Sequence, residues 1–66
     1  MKHTYYANFC ANDNTYNREP YEYTNKREAI KDIRYRAKAN TFAGSRAWVS
    51  VKDETGEEVY HAIIRN

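Results

Sequence analysis

The chain has no leucine, and only one cysteine, one proline and two glycines among its 66 residues. Without leucine, the aliphatic core formers reduce to Ile30, Ile33, Val49, Val51, Val59, Ile63 and Ile64. Aromatic side chains must then carry much of the burial, and seven tyrosines are present to do so. A single thiol, Cys10, makes no internal disulfide, whereas small secreted domains usually rely on several. Residues 1–20 hold no apolar run of signal-peptide length, and no apolar stretch nears the ~20 residues that span a bilayer. The expectation is a soluble cytoplasmic chain in a reducing compartment, with no membrane partner. Gly44 and Gly56 are too few to build a glycine-rich phosphate cradle. The length allows one domain, residues 1–66, and excludes a cofactor-binding α/β enzyme assembled from several βαβ units of about 30 residues each.

The hydropathy pattern divides what remains into five elements. From Lys2 to Ala11, the residues Tyr5, Ala7, Phe9 and Ala11 alternate with Thr4, Tyr6, Asn8 and Cys10, which predicts a strand. Asn12-Asp13-Asn14 is a turn signal, because Asn and Asp tolerate left-handed backbone. A second strand runs from about Tyr16 to Thr24. Pro20 lies inside it and cannot donate to a ladder, so this is an edge or broken strand. Lys26 to Asn40 predicts a helix, capped by Thr24 or Asn25, with Glu28 in the first turn and Ala29, Ile30, Ile33 and Ala37 on one apolar stripe. Gly44 ends the segment, and Phe42 is expected to fold back into the core. Ala47–Lys52 and Glu58–Ile64 form a hairpin around Asp53-Glu54-Thr55-Gly56, with the glycine at a left-handed position. The fold class is α+β in the order ββαββ, a single antiparallel four-stranded sheet with one helix on one face.

The helix carries the most pointed functional signal. Arg27, Lys31, Arg34 and Lys38 fall within about 60° of one another on a helical wheel, with Tyr35 at the margin. A solvated helix face accounts for lysine and arginine, which are good helix formers. It accounts less well for four cations without an interleaved acid, since like charges at this spacing repel. The stripe therefore reads as a face for phosphates or for an acidic protein surface. The hairpin tip is the opposite, with Asp53, Glu54, Glu57 and Glu58, so the chain is expected to be dipolar although its net charge is only +2.

One helix covers one side of a sheet. If Tyr5, Phe9, Val49, Val51 and Ile63 face the helix, then Trp48, Tyr6, Tyr60 and Tyr23 face away. These aromatics would serve as partner anchors or base-stacking platforms, or would pack across strands to stabilise a thin sheet. His3 and His61 approach each other only if the first and last strands are neighbours, and their spacing is not that of a metal site. Cys10 with a histidine is the one conceivable nucleophile pair, and nothing in the sequence brings the two together. The chain reads as a non-enzyme without cofactor or metal.

The run from Thr24 to Ile64 combines a strand, the helix opening Arg27-Glu28-Ala29-Ile30-Lys31, the connector Phe42-Ala43-Gly44 and the hairpin strand Trp48-Val49-Ser50-Val51-Lys52-Asp53 followed by Gly56 and Val59-Tyr60. This plan resembles small phage and mobile-element anti-CRISPR proteins that pack one helix on an antiparallel sheet and block type I surveillance complexes. The resemblance implies a phage-encoded inhibitor that evades host defence through protein–protein contact in the bacterial cytoplasm. Many of that group are acidic DNA mimics. A mildly basic chain is instead expected to dock on a host protein or ribonucleoprotein complex and obstruct its target DNA. The alternative is a free-standing, sequence-nonspecific nucleic-acid-binding domain using the same helix face. A monomer or weak homodimer is compatible with either.

Overall fold

A computed structural model describes residues 3–13 and 15–66, with the side chains of 15–19 left aside. Strand β1 spans Tyr5–Ala11, β2 Thr15–Tyr23, helix α1 Lys26–Ala39, β3 Arg46–Asp53 and β4 Glu58–Arg65. The strands form one antiparallel sheet in the order β2-β1-β3-β4, and α1 packs on one face of it. The ββαββ arrangement expected from the sequence is the one observed. Lys2 and Asn14, the start of the first predicted strand and the end of the first predicted turn, lie outside the described residues.

Local chemistry explains the element boundaries. Asn12 and Asp13 adopt left-handed backbone, with φ of 56° and 65°, and turn β1 into β2. The side chain of Asn25 accepts a hydrogen bond from the amide of Arg27 at 2.8 Å, so Asn25 is the N-cap. At the tip between β3 and β4, Asp53 Oδ1 accepts from the amides of Thr55 and Glu57 at 2.9 and 3.0 Å, and Gly56 takes a φ of +89°. Pro20 sits in an edge strand, where the pairing of β1 with β2 jumps from Tyr21 opposite Ala7 to Asn17 opposite Phe9.

The core lies between α1 and the two central strands. Ala29, Ile33 and Ala37 of α1 are fully buried against Ala7, Phe9 and Ala11 of β1 and Ala47, Val49 and Val51 of β3. Small side chains on the helix and across from it let α1 lie close to the sheet, which compensates for the missing leucines. Tyr5, Tyr21, Tyr23 and Tyr60 pack around the margin of this cluster.

Four expectations are corrected. Phe42 does not enter the core and is 71% exposed; the buried residue of that connector is Thr41, whose hydroxyl donates to the carbonyl of Ala37. Ile63 faces away from the helix, while Tyr60 faces it. The reason is an irregularity in β4: Val51 pairs with Tyr60 but Lys52 with Glu58, so Val59 is an extra residue that flips the alternation beyond it. Tyr60, Ala62 and Ile64 thus stand opposite Val51, Val49 and Ala47 on the helix side. Tyr23 also lies on that side, opposite Tyr5.

Truncation should expose this division. Ile33→Ala opens a void under α1 and is expected to cost about 3 kcal/mol in urea denaturation. Phe42→Ala, at an exposed site, should change stability by less than about 0.5 kcal/mol.

Candidate anion-binding interface

Helix α1 has two different charged flanks. On the β2 side, Asp32 accepts a hydrogen bond from the hydroxyl of Tyr23 and one from Arg36 Nε at 2.8 Å. The guanidinium of Arg36 also lies over the ring of Tyr21, 4.1 Å from its centroid. This clamp ties the helix to an edge strand and uses up the charge of Arg36. Burial, followed by the bond to Asp32, pushes the Tyr23 hydroxyl up to about 12. The bonds from Arg36 and Tyr23 hold the Asp32 carboxyl below its ordinary value.

The β4 side is built differently. Arg27, Lys31, Arg34 and Lys38 are all exposed, as is Tyr35 at 72%. Arg34 Nη1 donates to the hydroxyl of Tyr60 at 2.9 Å, a neutral partner that orients the guanidinium without cancelling its charge. Among the described residues, none of these four cations has a carboxylate within 4.0 Å. Lys26, Arg27, Lys31 and Arg34 line one shallow depression with Ile30. Arg34, Lys38 and Arg65 line a second with Tyr35, Ile63 and Ile64. The two meet at Arg34 and form a trough along the helix and the margin of β4, with no carboxylate among the described residues of its lining. From Lys26 to Lys38 the helix rises about 18 Å, so cations are spread along the whole trough.

The structure brings Arg27, Lys31, Arg34, Lys38, Tyr35 and Tyr60 to this one side. Tyr60 joins it through Arg34 and not as an anchor on the far face. Trp48 and Tyr6 do lie on the open face, 45% and 39% exposed, apart from the trough. Trp48 stands between Cys10 of β1 and Ile63 of β4, with the Arg46 guanidinium 5.8 Å from its ring centroid and paired to Asp13 at 2.7 Å. Lys26 and Arg65 are the trough residues that sequence reasoning missed. Nothing in the periodicity of a strand ties Arg65 to a helix; only the position of β4 beside α1 does.

The strand order does not meet the condition under which the two histidines would approach each other. β3 lies between β1 and β4, so His3 and His61 are not brought together. His3 Nδ1 meets Glu54 at 3.0 Å, and His61 Nδ1 meets Glu58 at 3.0 Å. Cys10 on β1 is buried and His61 on β4 is exposed, with β3 between their strands; both border one depression of the open face together with Trp48 and Ser50. Among the described residues no helix is long and apolar enough to cross a membrane.

In comparisons with known proteins, no family model matches the chain, and no curated protein or solved structure matches it.

The clamp makes acid stability measurable. Asp32 binds its proton less readily when folded than when unfolded, as do Asp53, held by Thr55, and Glu54, held by the amide of Thr4 and by His3. Their contribution is complete above the ordinary values of 3.8 for aspartate and 4.5 for glutamate, and is lost as pH falls through the lowered folded values. The midpoint of thermal unfolding should therefore hold steady at neutral pH and drop below about pH 4. Asp32→Asn should cost about 0.5–1 kcal/mol at pH 7 and flatten that acid limb.

Proposed function

We propose that this chain is a small non-catalytic binding protein that lays the α1–β4 trough on an anionic surface of a host nucleic-acid-processing complex. There it obstructs the path of target DNA, in the manner of the phage anti-CRISPR proteins it resembles, within the cytoplasm of a bacterial cell. The observation that supports the reading is the trough itself. Cations from Lys26 to Lys38, with Arg65, stand exposed along it with no carboxylate among the described residues of the lining, while Arg36 on the opposite flank is neutralised by Asp32. A helix needing only a solvated face has no reason to segregate its ion pair to one side.

Direct contact with nucleic acid is the second reading. It is favoured by Tyr35, an exposed ring set among Arg34, Lys38 and Arg65, where a base could stack beside bound phosphates.

Charge reversal tests the proposal. The double variant Lys31→Glu, Arg34→Glu should weaken binding to the complex at least several-fold, with a loss that shrinks as salt is raised. Unchanged affinity would reduce the trough to a solvated face. Titration against labelled duplex, single-stranded DNA and RNA separates the two readings. Four phosphate contacts would give duplex binding a log–log salt slope near −3.6, whereas the docking reading expects little binding without the protein partner.

A further inference from the structure

The two edges of the sheet are not equivalent. The β2 edge contains Pro20 and an irregular register, both of which disfavour the addition of another strand. The β4 edge contains neither proline nor glycine. Past the extra residue at Val59 its pairing with β3 is regular, from Tyr60 opposite Val51 to Arg65 opposite Arg46. Beyond Arg65, Asn66 ties the end of the strand down: its Nδ2 donates to the carbonyl of Thr41 at 2.8 Å, and its backbone exchanges bonds with Gly44 and Ser45. As an outer strand of the sheet, this segment presents the half of its main-chain groups that β3 does not pair. Alongside it lies the cationic end of the trough, with Arg34, Lys38 and Arg65.

We propose that the outer edge of β4, from Tyr60 to Arg65, takes up an extended acidic segment of the protein partner as a fifth strand. Main-chain hydrogen bonds would supply affinity, and Arg34 and Lys38 would select carboxylate side chains on the helix side of the added strand, with Arg65, which stands opposite Arg46 on the open face, adding positive charge at the end of the edge. This rests on the docking reading above and names the partner chemistry for the same surface. Charge decides the occupant. A second copy paired antiparallel through β4 would place both helices on one face of the joined sheet and set two rows of Arg34 and Lys38 side by side, which like-charge repulsion opposes. An acidic strand meets the same row with opposite sign.

The test uses the full chain labelled with nitrogen-15 and two synthetic peptides of equal charge. One alternates glutamate with valine; the other carries a proline in place of its central valine. The alternating peptide should bind saturably and slow amide exchange about tenfold at every second residue between Tyr60 and Arg65, because only alternate N–H groups of a strand point to its open edge. The proline peptide should bind about tenfold more weakly, and Lys38→Glu with Arg65→Glu should weaken the alternating peptide by a similar factor. Equal binding of both peptides without alternating protection would overturn the added strand and leave the charge-driven docking of α1 standing. Absence of binding by either peptide would overturn it as well, and the reversal of Lys31 and Arg34 against the complex would then judge the docking reading separately. Alternating protection in the chain alone, with a dimer in sedimentation, would make the occupant a second copy and also overturn the proposal.

Discussion

Helix α1 meets the sheet through Ala29, Ile33 and Ala37, none of which retains exposed surface. Opposite them stand Ala7, Ala11 and Ala47, with Phe9, Val49 and Val51 between. A chain without leucine cannot fill a wide gap between helix and sheet, so it closes the gap instead, and the alanines set the distance. The rest of the molecule is arranged around that contact. The larger residues, chiefly tyrosines, are displaced to the margins, where each ring covers the core and each hydroxyl stays available to a polar partner.

Those marginal tyrosines give the helix its two characters. Tyr21 and Tyr23 on β2 engage Arg36 and Asp32, and that flank becomes a neutral clamp. Tyr60 on β4 engages Arg34, which among the described residues pairs with no carboxylate, and that flank stays cationic. The same type of residue on the two edge strands therefore secures the helix on both sides but leaves charge on only one. The far end of the helix is fastened by asparagines. Asn12 accepts from the amide of Phe42 at 2.6 Å and donates to the carbonyl of Asn40, while Asn66 donates to the carbonyls of Lys38 and Thr41. Carbonyls left over at the helix C-terminus are thus satisfied by side chains from the β1–β2 turn and the end of β4. With both flanks and one end fixed, Lys31, Arg34 and Lys38 project from a rigid support.

The open face is of another kind. Trp48, Ile63 and Tyr6 are each only about half covered, and they share that face with Lys52, Arg46, Glu58 and His61. Cross-strand contact explains the aromatics: Trp48 lies between Cys10 and Ile63 in register, and Arg46 stacks toward its ring. Charges of both signs are interspersed there, in contrast to the single sign of the trough.

Most of the fold was legible in the residues because its signals are local. Alternation in β1 and β3, the Asn25 cap, the apolar stripe of α1, Asn12-Asp13 and Gly56 each act within a few positions, and the basic stripe follows from helical spacing alone. What the tertiary structure decided is everything that depends on a partner distant in sequence. The order β2-β1-β3-β4 separates His3 from His61 and makes β4 an edge. The extra residue at Val59 turns Tyr60 toward the helix and Ile63 away from it, and a single-residue change of register reverses every side chain that follows. The pairing of Asp32 with Arg36, the joining of Arg65 to the helix cations and the exposure of Phe42 belong to the same class. Periodicity states which residues share a face of one element; only packing states which element that face will meet.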